Sequence, residues 1–223
     1  MAVCPTGALA RYDMTPMDCS ETRKDLVINP FQAEQFLRSR RSIRKFKDRP
    51  VEREKLDKLI QIAGYAPFAH NARPVHFLVI ADTREVKRFA SLIIDFLKLM
   101  IKQAPALAAS NNFPRVVQLW EKGDDPLFGN APHLIVTYAP ESSLMAQIDC
   151  ALAVGYAELA APSLGLGMTW SGFGMAAAAS SPSFKEALEL PENHKCFGMM
   201  MVGYPKVQFA RMPVRKTPPV NWR

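Results

Sequence analysis

The spacing of apolar residues predicts helices that alternate with a few short strands. Residues 1–30 follow no period, and Pro5, Gly7, Pro16, Asn29 and Pro30 break any long element. From Phe31 the pattern turns helical and runs into basic residues at Arg38 to Arg49. Leu56, Leu59, Ile60 and Ala63 recur at three and four, which predicts a helix over 52–66 with one buried face. Residues 75–81 (VHFLVIA) are rich in β-formers and predict a strand. A long amphipathic helix follows over 83–102, then a helix over 113–122 and a strand over 133–139. Residues 143–164 are apolar on almost every side, with Leu144, Ile148, Leu152, Gly155, Leu159 and Ala160 on one face. Such a helix is expected to be buried, within the domain or at a subunit interface. Gly165 and Gly167 end it. A strand over 168–171, a short helix over 183–188 and a strand over 197–204 complete the pattern, and a proline-rich tail is expected to be extended and to wrap a surface. With no internal repeat, this is an α+β layered domain over 31–223 behind an irregular segment over 1–30.

Composition narrows the class. At 223 residues and 48% hydrophobic, the chain can bury a substantial core as one domain. No apolar run is long enough to predict a membrane span, and the N-terminus lacks a secretory layout. The four cysteines are scattered, with no CxxC pair, so neither a zinc site nor a disulfide framework is expected and a reducing cytoplasm is. The four histidines are not at metal spacing, and His76 and His133 read as strand residues with satisfied side chains. Asp149, on the apolar helix, reads as a buried carboxylate held by a structural hydrogen bond or a partner Arg. A formal charge of +7 permits a phosphate-bearing partner. The basic residues gather in two clusters near opposite ends of the chain, which suits one anionic cofactor rather than a nucleic-acid stripe.

The first cluster holds Arg40, Arg41, Ser42 and Arg44. At a helix end followed by a turn, guanidinium groups and a hydroxyl can converge on a phosphate. By charge alone, a solvated basic face is the plainer reading. The company of the segment changes this. "RRSIRKFKDRPV", "APFAHNARPVHFLVI", "APHLIV", "ELAAPSLGLGMTWSGF" and "VGYP" occur in order, followed by a basic tail. Together they resemble the nitroreductase family of FMN enzymes over about 31–223.

The resemblance implies a nitroreductase-like fold: a mixed, mostly antiparallel central sheet surrounded by helices, a long central helix at a dimer interface and an extended C-terminal tail. It implies that Arg40, Arg41, Ser42 and Arg44 hold the FMN phosphate and the pyrimidine edge of the ring. It implies a homodimer with FMN at the subunit interface, where the loop with Pro67, Phe68, Ala69 and Asn71 packs on the partner's flavin. Here Phe68 stands where the family has Ser, Arg73 where it has Gln and Val75 where it has Trp. Trp170, Ser171 and Gly172 are implied beside the flavin, with Ser171 in place of a common Glu. Arg215, with Lys216 as the alternative, matches the last phosphate contact. The implied activity is reduction of nitro or related small acceptors by NAD(P)H with ping-pong kinetics, the chemistry centred on the flavin rather than on a catalytic side chain. Flavin or enone reduction, dehalogenation and oxidative flavin breakdown are alternatives on the same scaffold. A flavin-binding protein without turnover, coupled to a ferredoxin-type donor, is another. Val3-Cys4-Pro5 resembles the end of a bacterial ferredoxin motif, so residues 1–30 are expected to be the remnant of a ferredoxin domain that cannot complete a four-thiolate cluster.

Overall fold

The computed structural model describes residues 6, 8, 12 and 15–223. The Cys4 motif lies outside the described residues. The chain divides into two compact units, 1–39 and 40–223. Within the first, Pro16–Asp18 and Lys24–Leu26 form single 3-10 turns, and α1 spans Pro30–Ser39. Asn29 and Gln32 start α1 with a reciprocal cap. The Gln32 N–H donates to Asn29 Oδ1 and the Asn29 N–H donates to Gln32 Oε1, both at 2.9 Å.

The second unit is built on four strands, β1 (His76–Ile80), β2 (His133–Pro140), β3 (Gly167–Trp170) and β4 (His194–Gly203), in the order β1-β2-β4-β3. All three pairings are antiparallel, so the mixed sheet expected from the sequence sharpens to an antiparallel one within this chain. Around it lie α2 (Arg53–Ala63), α3 (Thr83–Gln103), α4 (Pro105–Ser110), α5 (Phe113–Glu121), α6 (Ala146–Ala160), α7 (Gly172–Ser180) and α8 (Pro182–Ala187).

Strand alternation assigns the two faces. Leu134 and Val136 of β2 and Met199 and Met201 of β4 join one apolar cluster, which residues of α3, α5, α7 and α8 complete. Ile135, Met200 and Val202 join the other, against α2 and α6. Because both faces are covered, the central strands read as continuous apolar runs rather than alternating ones.

The face that α6 turns to the core is the one with small residues. Ala146, Cys150, Ala153, Val154 and Ala157 are buried, whereas Met145, Ile148, Leu152 and Tyr156 are 38–52% exposed and Leu144 is 99% exposed. Small side chains let the helix lie close to the sheet. A Cβ on Gly198 of β4 would already stand 3.2 Å from Val154 Cγ2. The bulky residues therefore form an outward stripe. The expected satisfied histidine is found at β2. Buried His133 accepts from the Val51 N–H through Nε2 at 2.8 Å, which leaves Nδ1 to donate to the Ala81 carbonyl at 2.7 Å.

Candidate functional site

Arg40 to Arg44 follow directly on the end of α1. α1 stops at Ser39, and the segment runs on without regular structure, pinned by its backbone. The Ile43 N–H donates to the Met168 carbonyl of β3 at 3.2 Å, and the Phe46 N–H to the Gly129 carbonyl at 3.1 Å. Two glycines permit this close approach. A Cβ on Gly167 would lie 2.4 Å from Ile43 Cγ1, and one on Gly129, which has φ +60°, would lie 2.0 Å from the Arg44 carbonyl oxygen. Ile43 and Phe46 are buried as anchors, and the polar side chains between them remain available.

Arg40 Nη1 donates to Glu158 Oε1 on α6 at 2.7 Å and lies 3.5 Å from Ser42 Oγ. This pair is largely sheltered, with side-chain exposures of 26% and 12%. Glu158 was not singled out from the sequence. The available signal was one of two acids on a mostly apolar helix. Arg41 stacks its guanidinium on the Phe209 ring of the tail at 4.6 Å, which brings the tail back to this segment. Arg44 is exposed and has no ion-pair partner among the described residues.

Arg44 lines a cleft of about 530 Å³ with Trp170, Ser171, Gly172, Phe113 and Phe173. The size suits a small-molecule site. Phe113 meets Phe173 edge-on with ring centres 6.0 Å apart, forming one aromatic wall. Ser171 is 1% exposed, and its hydroxyl accepts from the Gly174 N–H at 3.1 Å as the N-cap of α7. Its hydroxyl is therefore engaged in capping the helix. A Cβ on Gly172 would meet open space. Asp125 also lines the cleft, but its carboxylate accepts the N–H groups of Leu127, Phe128 and Asn130 and holds that loop in place.

Pro67, Phe68, Ala69 and Asn71 lie elsewhere. The Ala69 N–H donates to Asp149 Oδ1 at 3.2 Å, nine residues along α6 from Glu158, or about 14 Å at helical rise. One chain thus holds the loop and the Arg40 segment near opposite ends of the same helix. Arg215 and Lys216 are exposed in the extended tail, and no hydrogen bond or ion pair joins them to Arg40–Arg44 among the described residues.

Residues 37–204 match the nitroreductase family. The chain belongs to the nitroreductase family. Its similarity to Bacillus subtilis FMN reductase [NAD(P)H] is 30% identity over 178 residues, covering 79% of this chain and 67% of that one. An FMN-dependent nitroreductase from Clostridium difficile R20291 superimposes with a TM-score of 0.55 at 26% identity, over 78% of this chain and 88% of the other. A nitroreductase with bound FMN from Bacteroides fragilis shares the fold at 21% identity, with a TM-score of 0.67 over 85% of this chain and 97% of that one. In this nitroreductase-family chain the Arg44 cleft, walled by the turn from β3 into α7, is therefore the candidate active site.

No cysteine lines this cleft among the described residues. Burial pushes the Cys150 thiol up to about 11 and the Cys196 thiol up to about 12, so neither supplies a thiolate near neutral pH.

Proposed function

We propose that this protein is an FMN-dependent oxidoreductase that takes reducing equivalents from NAD(P)H and passes them to nitro or related small electron-accepting compounds. The observation that carries the reading is the meeting of the unpaired Arg44 with the Ser171–Gly172 turn in one aromatic-walled cleft of a nitroreductase-family chain.

The donors present fit FMN. Arg40 and Ser42 offer a guanidinium and a hydroxyl to a phosphate, and Arg44 offers a free cation to the pyrimidine edge. Gly172 leaves space for a flat ring against the backbone, and the first N–H groups of α7 have no acceptor within the helix. FMN, when bound, supplies the two-electron chemistry. Glu158 fixes the direction in which Arg40 points. Arg44 offsets negative charge at the pyrimidine edge, and a fixed cation does this without reorganising. Trp170, Phe113 and Phe173 give the cleft apolar surface against which a flat ring can pack. Donor and acceptor use the same opening in turn, which gives ping-pong kinetics without a dedicated side-chain acid or base.

A homodimer belongs to this reading. The outward stripe of Met145, Ile148, Leu152 and Tyr156 supports it, as does the distance between the Asn71 loop and Arg40 on one chain. In the dimer, Pro67, Phe68, Ala69 and Asn71 face the partner's flavin, and Arg215 or Lys216 completes the phosphate site. The setting is the cytoplasm, in keeping with free Cys19, Cys150 and Cys196. A ferredoxin-type donor is the alternative to NAD(P)H. The visible spectrum of the purified protein tests the cofactor: bands at about 370 and 450 nm are expected, and a colourless protein that takes up no added FMN contradicts the reading.

A further inference from the structure

We propose that Asp149 is a positioning residue, whose carboxylate sets the turn that presents Asn71 to the flavin held by the opposite subunit; this rests on the FMN reading above. Asp149 is 2% exposed on the face of α6 that is otherwise Ala, Cys and Val. Burying a carboxylate is costly unless something holds it, and no cation pairs with it among the described residues. What it holds is the Ala69 N–H, at 3.2 Å.

Ala69 is the pivot of a strained turn. Beyond it, His70, Asn71 and Arg73 have φ of 52°, 53° and 51°, the left-handed region that side chains disfavour. Such geometry persists where neighbours over-determine it. Here the Ala72 N–H returns to the Ala69 carbonyl at 3.0 Å, the Asn71 N–H to the Phe68 carbonyl at 2.9 Å, and the Phe68 ring packs against the α2–α6 core. The Asp149 bond ties this self-closed turn to α6 and fixes where it faces. The Asn71 side chain is exposed, with no hydrogen bond among the described residues. The turn sits at the far end of α6 from the Glu158–Arg40 pair, which supports assigning it to the opposite subunit's flavin.

The test is FMN binding by variants and by a mixed dimer. Asp149→Leu is expected to weaken FMN binding about tenfold, the worth of one charge-assisted hydrogen bond. Asp149→Asn keeps an acceptor in place and is expected to return most of the affinity, which a role of the negative charge alone does not predict. Ala69→Pro removes the donor instead and serves as the second variant if Asp149→Leu fails to fold. Proline suits the first position of this turn, because the preceding Phe68 is extended at φ −116°, ψ 145°. A dimer of one Asp149→Leu and one Arg44→Ala subunit is expected to bind FMN with wild-type affinity at one of its two sites, because one site draws its clamp and its loop from the unaltered parts. Wild-type affinity in both Asp149→Leu and Ala69→Pro, or two impaired sites in the mixed dimer, overturns the proposal. Wild-type protein that binds no FMN overturns the cofactor reading itself.

Discussion

Arg40 and Glu158 form a sheltered ion pair, with Nη1 and Oε1 2.7 Å apart and the acid only 12% exposed. Arg40→Ala therefore removes the proposed phosphate donor and also strands a carboxylate. Unfolding stability is expected to fall by about 1–2 kcal/mol, below the figure for a fully buried pair because Arg40 still sees solvent. The double variant Arg40→Ala/Glu158→Ala is expected to regain most of that stability and none of the FMN affinity. Denaturant melts and flavin titrations on the two variants and the wild type separate the two effects, and parallel recovery of both contradicts the assignment of Arg40 to phosphate.

Arg44 has no ion-pair partner among the described residues, so its removal strands no carboxylate there. Arg44→Ala is expected to weaken FMN by roughly 1.5–3 kcal/mol, about ten- to a hundredfold, and to leave the stability of the FMN-free protein unchanged. Unchanged flavin affinity, measured by fluorescence quenching, counts against Arg44 as a ligand.

Ser171 lines the Arg44 cleft, and its hydroxyl accepts from the Gly174 N–H. Ser171→Ala is then a capping variant. A loss of about 1 kcal/mol of stability with kcat/KM unchanged is the expected result. A large fall in kcat without a change in melting temperature shows that the hydroxyl serves the flavin after all.

His133 links pH to stability. Burial holds its pKa below the usual 6.5, with the Ala81 carbonyl opposing that shift in part. The fold thus favours the neutral ring, whose Nε2 accepts from Val51. The folded pKa is depressed relative to the unfolded one, so this contribution is fully present above about pH 6.5 and is lost as pH falls through the folded value. Urea midpoints from about pH 8 to about pH 5 are expected to decline, and His133→Gln to show a shallower decline below pH 6.5. An identical slope in that variant removes His133 from the account.

Much of the fold was legible in the sequence because long elements carry strong periods. The predicted helix over 83–102 is found as α3, and the strands over 75–81 and 133–139 as β1 and β2. α7 was missed because its Gly-Phe-Gly start and alanine run carry almost no amphipathic contrast, although Ser171 was in place as its cap. On α6 the period could not tell core from outside, since both faces are apolar and closeness of approach, rather than hydrophobicity, selected the small residues. The site was legible only where chemistry and order coincide. Arg44, Ser171 and Gly172 meet in one cleft, yet Phe113 and Phe173 arrive there from helices whose contact with each other no local pattern records. Glu158 stayed hidden because its significance lies in Arg40, 118 residues away.

The central claim is tested most directly by mixing the purified, FMN-loaded protein with NADH or NADPH in the absence of oxygen and following absorbance at about 450 nm. The account predicts that at least one of the two bleaches the flavin band and that a nitroaromatic acceptor, added afterwards, restores it. A flavin that neither nucleotide bleaches while reduced ferredoxin does, or a protein that holds no flavin at all, contradicts it.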